Sequence, residues 1–187
     1  MGLKACLTTV FPELDIMIHL SDEWLGFVIN DELEQVERTL SINLKLLRKF
    51  SSNFEPVEDF HRYYELSLNL DEMPSEESNT QKKIMNEIKN RWLISDIKPM
   101  NDWISTIELE NLITLFLKNL QSNPNFYNLM KFNFSWGEKY FEFNEDSYYK
   151  KYPVNYPNNL IEDLFQIQYF LKVVKEIGHK YVVFFPC

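Results

Sequence analysis

The last thirty residues of the chain, 158–187, constrain its fold more than any other stretch. Asn159, with Glu162 three residues later, is typical of a capped helix start, and Gly178 is suited to end that helix. The apolar side chains between them recur at helical spacing over more than half of the circumference: Leu160, Ile161, Leu164, Phe165, Ile167, Phe170, Leu171 and Val174. Since a helix this apolar needs cover on more than one side, we expect it to be central to the core.

Several short segments have the composition of strands. Residues 181–185 are a β-branched and aromatic run, which predicts a buried strand directly after the last helix. Residues 7–11, 16–20 and 24–29 are apolar runs near the start of the chain, and we interpret them as strands. Residues 63–70 alternate between apolar and polar side chains, and this period of two predicts a half-buried strand.

Three further helices are predicted from apolar side chains spaced three and four apart. The first covers residues 31–50 after a capping Asn30, with acids in its first half and bases at its end, as the helix dipole favours. The second covers residues 81–93. The third follows a capping box at 105–108 and continues to about residue 121. It is apolar nearly all round, so we expect it to be the other central helix.

These elements predict an α+β fold, with a single domain over residues 1–187 in which about four helices pack on a small mixed or antiparallel sheet. The polar, acidic segment 71–80 is interpreted as a loop, and it is short for an interdomain linker. A mainly α-helical fold with a peripheral hairpin is the alternative. Leu112 and Phe165, on the two most apolar helices, are expected core residues.

The segment 132–156 is unusually aromatic, since ten of its 25 residues are Phe, Tyr or Trp. Alternation on both sides of Gly137 predicts a hairpin there. Such aromatics are usually core residues and loop anchors, but exposed Tyr and Trp beside acids would form a protein-binding patch. Paired carboxylates beside aromatic rings can also bind sugars or act as acid and base. The acids in this segment are Glu138, Glu142, Glu145 and Asp146.

The charge of the chain is strongly negative, with a formal net value of −9. Binding along a phosphate backbone or an anionic membrane surface needs a basic face, so neither nucleic acid nor a membrane is an expected partner. Between residues 55 and 77 there are eight acids and one base, Arg62. This segment is either a solvated face or a docking surface for a basic protein, whose association it would accelerate.

Motifs for common chemistries are missing from the sequence. Four scattered glycines cannot form a phosphate-binding loop. The two cysteines show no metal-ligand spacing and are too few for a disulfide framework, so we expect a reducing cytoplasm. His61 with Glu65, as metal ligands, and Cys6 with His19, as a nucleophile pair, are the candidate pairs of this kind, and nothing else in the sequence supports them. We therefore assign no catalytic residue, cofactor or metal site.

The function that these observations favour is that of a small acidic cytoplasmic binding protein. Its best candidate role is an immunity protein that inhibits a basic, nuclease-type bacterial toxin. The alternative is an enzyme or a small-ligand-binding domain that uses the carboxylates and aromatics of residues 132–156. The candidate partner-binding residues are Glu58, Asp59, Asp71, Glu72, Glu76, Glu77, Trp136, Tyr140, Glu142, Tyr148 and Tyr149.

Overall fold

A four-stranded antiparallel sheet lies at the centre of the fold, in the order β2-β1-β4-β3. The computed structural model describes residues 4–9, 17–51, 62–63, 65–67, 70, 74–94, 102–123, 125–132, 139–143 and 158–186. The strands are β1 (Ala5–Thr9), β2 (Met17–His19), β3 (Ile104–Ser105) and β4 (Tyr181–Pro186). The two inner strands are β1 and β4, so the beginning and the end of the described chain lie side by side.

Both faces of the inner strands are covered. All five residues of β1 are buried, and Leu7 lies opposite Phe184 in the register with β4. Leu7 and Phe184 belong to the larger hydrophobic cluster, while Val183 belongs to a second cluster. Because neighbouring residues of a strand point to opposite faces, the two clusters lie on the two sides of the sheet.

Helices supply the cover on each side. The helices are α1 (Asp22–Ile29), α2 (Asp31–Leu40), α3 (Ser75–Ile94), α4 (Thr106–Ser122) and α5 (Asn159–Ile177). Short 3₁₀ turns occupy Lys45–Arg48 and Phe126–Leu129. The larger cluster takes its side chains from α1, α2, α4 and α5, and the smaller one takes Met85 and Ile88 from α3. None of the described helices is both long and apolar enough to cross a membrane.

The start of α4 lies against the end of α5. The hydroxyl of Thr106 donates to the carbonyl oxygen of His179 at 3.0 Å, and the Lys175 ammonium pairs with the Glu110 carboxylate at 2.5 Å. The two helices are therefore antiparallel neighbours, and each is buried along most of its inner surface.

The α+β fold with an antiparallel sheet confirms the main prediction from sequence. The two helices expected to be central, α4 and α5, are central, and strands form at the beginning and end of the chain as expected. Leu112 is buried, whereas Phe165 is only partly buried at the edge of the core. The last helix is capped one residue earlier than predicted, because the side chain of Asn158 accepts from the backbone N–H of Ile161.

Residues 24–29 form part of a helix, so the strand predicted there is wrong. Helix α1 begins after Ser21. Its buried residues, Trp24, Phe27 and Val28, are spaced three and four apart and form one helical face. The short apolar run was compatible with either structure, and packing of this face against the core selects the helix.

The helix predicted over residues 31–50 ends at Leu40. Ser41 takes a left-handed conformation, with φ 53°, and the carboxylate of Glu37 accepts a hydrogen bond from the backbone N–H of Leu44 at 2.6 Å. The chain turns at this point, and Leu44 and Leu47 beyond the turn are fully buried. The apolar residues keep their helical spacing through the turn, so periodicity alone does not reveal it.

The strand predicted over residues 63–70 is also wrong. The described residues there are helical at 62–63 and 65–67, and Leu70 lies in a 3₁₀ turn. Tyr63 packs in the smaller cluster with Met85 and Ile88 of α3. Helix α3 itself begins at Ser75, inside the segment predicted as a loop. Pro74, directly before it, does not prevent this, since proline is tolerated at a helix start.

The hairpin predicted around Gly137 lies outside the described residues, and 139–141 form a helical turn.

Candidate functional site

The predicted acidic surface is visible at the start of α3. Glu76 and Glu77 are exposed in the first helical turn. They line a shallow depression of about 420 Å³ together with Thr80 and Gln81. The four other acids proposed as partner contacts in this region lie outside the described residues: Glu58, Asp59, Asp71 and Glu72. The structure therefore shows two acids of the set, both open to solvent.

The aromatic candidates behave differently. Tyr140 is fully buried, so its predicted role as a partner contact does not fit the structure. Glu142, two residues later, is exposed, and Phe143 beside it is 49% exposed. The remaining aromatic candidates lie outside the described residues: Trp136, Tyr148 and Tyr149.

Phe141 is the centre of a cluster of aromatic rings. Its ring centroid lies 5.2 Å from that of Phe132 and 5.8 Å from that of Phe27 on α1. Phe126 contacts it at 6.1 Å, and Tyr140 lies 5.5 Å from Phe27. Ring pairs at these distances stabilise packing. The described aromatics around residue 141 thus mainly anchor the segment to the core.

A buried hydrogen-bond cluster lies beside these rings, and the sequence interpretation missed it. Asp163 of α5 accepts from the backbone N–H of Ser21 at 2.9 Å, from the Ser21 hydroxyl at 2.5 Å and from the Tyr140 hydroxyl at 2.8 Å. Asp163 is 1% exposed. The sequence signal for this cluster was Asp163 itself, an acid between apolar positions of a helical face that is otherwise buried.

Burial controls the protonation of this cluster. It raises the pKa of Asp163 to about 6, because a charged carboxylate is costly inside the protein, although the hydrogen bonds from Ser21 and Tyr140 act in the opposite direction. Burial, followed by the nearby Asp163 carboxylate, also raises the pKa of Tyr140 well above its usual value. Tyr140 therefore keeps its proton and acts as a hydrogen-bond donor to Asp163.

A second depression lies where α4 meets the end of α5. It has a volume of about 310 Å³, and its lining includes Thr106, Lys175, His179 and Lys180. Burial, and secondarily the positive charge of Lys89, lowers the pKa of His179 to about 4. His179 is therefore neutral at physiological pH. Lys175 is already paired with Glu110, so this depression offers little unpaired charge to a ligand.

The structure brings Cys6 and His19 together. They are directly opposed in the pairing of β1 with β2, and Cys6 Sγ lies 3.1 Å from His19 Nδ1. Cys6 is disulfide-bonded, however. The pair therefore has the geometry of a candidate nucleophile and base but lacks the thiolate that such chemistry needs.

Of the predicted metal pair, His61 lies outside the described residues. Within the described ranges, no three His, Cys, Asp or Glu side chains are grouped as metal ligands would be. Comparisons with known proteins give no assignment: no protein family, curated protein or solved structure matches this chain.

Proposed function

We propose that this chain is a small acidic binding protein whose partner is a basic protein. Its best-fitting role is that of an immunity protein that neutralises a nuclease-type bacterial toxin. The observation that carries the proposal is the exposed acidic turn of α3, where Glu76 and Glu77 border a shallow, open depression. A shallow, open acidic surface suits a protein partner better than a small ligand, which usually needs an enclosed pocket.

Long-range charge supports the same role. The net charge of −9 and the acidic segment 55–77 would attract a basic protein and increase its association rate. Nuclease domains carry basic surfaces because they bind phosphate backbones. The exposed Phe143 beside Glu142 adds an apolar contact with an acidic neighbour, which is the combination expected in an interface.

The test is a binding measurement against the product of the adjacent upstream gene. Surface plasmon resonance at low and high salt would follow the parent chain and the double variant Glu76→Gln/Glu77→Gln. We expect the parent on-rate to fall steeply with salt, and the double variant to associate more slowly with a flatter salt dependence, since rim charges act mainly through steering. A variant neutralising Glu58, Asp59, Asp71 and Glu72 should show the same change more strongly.

Glu108→Gln is the control, and because it removes one charge where the double variant removes two, the effects are compared per charge removed. Glu108 is also an exposed acid in the first turn of a long helix, α4, so its removal tests whether net charge alone accounts for the effect. Polylysine, immobilised in parallel, reports non-specific attraction. Equal on-rates and salt slopes for the parent and both sets of acid variants would contradict the proposal, as would binding to polylysine but not to the gene product.

Phe143→Ala tests the apolar contact. Since removal of an anchor side chain mainly weakens the formed complex, we expect faster dissociation with an unchanged on-rate. An unchanged off-rate would exclude Phe143 from the interface.

The second candidate function is an enzyme or a small-ligand-binding domain that uses residues 132–156. The exposed Glu142 next to Phe143 is the described observation that favours it. The buried Asp163 cluster does not add to it, because a substrate has no access to a carboxylate that is 1% exposed. Glycoside hydrolysis that is lost in Glu142→Gln would favour this function over the first.

The cytoplasmic location is part of the proposal and depends on the state of Cys6. Disulfides persist mainly in oxidising compartments, so the disulfide at Cys6 does not favour a permanently reducing one. Trapping thiols with an alkylating reagent in the native host, followed by mass spectrometry, would decide the question. A cytoplasmic protein should be recovered with Cys6 alkylated.

A further inference from the structure

The carboxylate of Asp163 connects three parts of the chain through neutral donors. Ser21, which contributes a backbone N–H and a hydroxyl, directly precedes α1, and Tyr140 lies in the helical turn 139–141. Nearby, the side-chain amide of Asn158 at the start of α5 reaches the carbonyl oxygen of Phe141 at 3.4 Å. Two hydrogen bonds between described residues thus hold the segment 139–143 to the start of α5 and to Asp163, and the bond to Asp163 is the shorter.

We propose that Asp163 is a proton-operated latch for the segment 139–143: its neutral form is compatible with burial beside Tyr140, and ionisation loosens the closed segment by placing a charge there. The latch follows from the hydrogen-bond geometry and does not depend on the proposed partner.

The arrangement of donors explains why the two protonation states differ. An ionised carboxylate accepts all three hydrogen bonds. A protonated Asp163 carries one O–H that must itself be donated, and Oδ2 already faces the hydroxyls of both Ser21 and Tyr140. One of these hydroxyls must then turn or reverse its bond. Bonds to a charged acceptor are about twice as strong as neutral ones, so Ser21 and Tyr140 reduce the cost of the buried charge. They do not remove it, because burial still raises the pKa of Asp163.

The charged side chains at the start of α1 are acids. From α1, Glu23 opposes a second negative charge nearby, and Asp22 is paired at the surface with Lys4 at 3.1 Å. Among the described residues, no cation pairs with Asp163. The charge of the carboxylate is therefore held by hydrogen bonds without a counter-ion.

The other titratable side chains from neighbouring elements are Tyr140 and His19. Tyr140 stays protonated because burial raises its pKa. His19 of β2 points towards Cys6, on the opposite face of the sheet from Leu7 and α5. Burial raises the pKa of Asp163 to about 6, which places the transition in mildly acidic conditions.

The first test measures the titration of Asp163 directly. Carbon-13 NMR of the side-chain carboxyl would follow the parent chain and the variant Tyr140→Phe, which removes the hydroxyl and keeps the ring. Since the Tyr140 bond favours the charged form, we expect the pKa of Asp163 to rise by about one to two units in the variant, the size expected for a hydrogen bond to a charged group. Tyr169→Phe, at an exposed tyrosine of α5, is the matched control and should leave it unchanged.

The second test measures the hold on the segment. Hydrogen exchange of the amides at 139–143, corrected for the intrinsic effect of pH, would be compared at about pH 5 and about pH 8. Ionisation at the higher pH should increase local opening roughly tenfold or more, since opening rehydrates the carboxylate and one unit of pKa difference is a factor of ten. Amides within α4 should not follow this change. Asp163→Asn should remove the pH dependence.

Two results would overturn the proposal. The first is the same Asp163 titration in the parent chain and in Tyr140→Phe. The second is a 139–143 opening that has the same pH dependence as α4. The NMR comparison does not require Asp163→Asn to fold, so the proposal can be rejected even if that variant is unstable.

Discussion

Two buried titratable side chains, Asp163 and His179, act on stability in opposite directions as pH changes. The folded-state pKa of Asp163, about 6, lies above its unfolded value of 3.8, so its contribution is complete below pH 3.8 and is lost as pH rises through 6. The folded-state pKa of His179, about 4, lies below its unfolded value of 6.5, so its contribution is complete above pH 6.5 and is lost as pH falls through 4. Each effect is on the order of 3 kcal/mol at its full extent.

The expected result is that these two contributions largely cancel between about pH 4 and about pH 6.5. The variant His179→Gln lacks the contribution of His179, which is lost from the parent chain as the pH falls. Its free energy of unfolding should therefore rise, relative to that of the parent chain, as the pH falls. The free energy of unfolding of Asp163→Asn should fall, relative to that of the parent chain, as the pH falls. Urea unfolding at a series of pH values would measure both differences. Parallel profiles for the parent chain and both variants would show that neither group has a shifted pKa.

At the scale of elements, the ends of the helices have identifiable chemistry. Gly178 ends α5 in a left-handed conformation, with φ 95°, and its N–H donates to the carbonyl oxygens of Lys175 and Val174. Apart from Gly178 itself and its neighbours along the chain, no atom of the described residues lies within 4 Å of the position that a Cβ would occupy at Gly178. A side chain there would therefore meet backbone strain but no steric clash.

Gly178→Ala should destabilise the protein by about 1 kcal/mol, because a side chain in the left-handed region costs about that much. Gly178→Asn is the control, since Asn tolerates this conformation better, and it should cost less. Thermal or urea unfolding would compare the two. An equal loss for both variants would point to a cause other than the left-handed backbone.

The start of α5 offers a second prediction at this scale. Asn158 is fully buried, and its side chain caps the helix while its amide contacts the carbonyl oxygen of Phe141. Asn158→Ala should cost about 1–2 kcal/mol through the lost cap. Asn158→Asp keeps the acceptor and loses the amide donor, so it should recover part of the stability. No recovery in unfolding experiments would mean that the cap bond contributes little.

At the scale of the whole molecule, the sheet separates two hydrophobic clusters, and the larger one depends on the contact between α4 and α5. Leu109 is fully buried in this contact, while Leu115, on the same helix, is 47% exposed. The two leucines therefore provide a matched comparison of the same substitution inside and outside the core.

Leu109→Ala should destabilise the protein by about 2–5 kcal/mol, the range for large-to-small changes in a core. Leu115→Ala should cost well under about 1 kcal/mol. Urea unfolding of both variants at one pH would test this. Similar losses at the two positions would mean that the buried face of α4 has been assigned wrongly.

Much of this architecture could be predicted from the sequence because local signals agreed with one another. In α5 the capping Asn, the apolar stripe and Gly178 all indicate one helix, and the run after it has no competing pattern. The α+β class and the buried strand β4 followed from these signals. Where local signals conflicted, the prediction was wrong: 24–29 was read by its apolar content, and 63–70 by its alternation, although both are helical where described.

Fewer residues of the candidate site could be predicted from the sequence. Exposed acids such as Glu76 and Glu77 could be predicted because an acidic, polar segment is usually solvated. The burial of Tyr140 could not, since an aromatic side chain has the same sequence pattern whether it anchors a turn or faces a partner. Asp163 was missed because its two partners, Ser21 and Tyr140, are 142 and 23 residues away in the chain.

The sequence by itself therefore determined what depends on nearest neighbours along the chain: where α4 and α5 form, how α5 ends, that a strand follows it, and the net charge of −9. Only the tertiary structure decided which strands pair, that Leu40 ends α2, and that Asp163 meets Ser21 and Tyr140. The physical reason is that these outcomes depend on burial and on hydrogen bonds between distant segments, whose free energies exceed the small preferences of a local sequence.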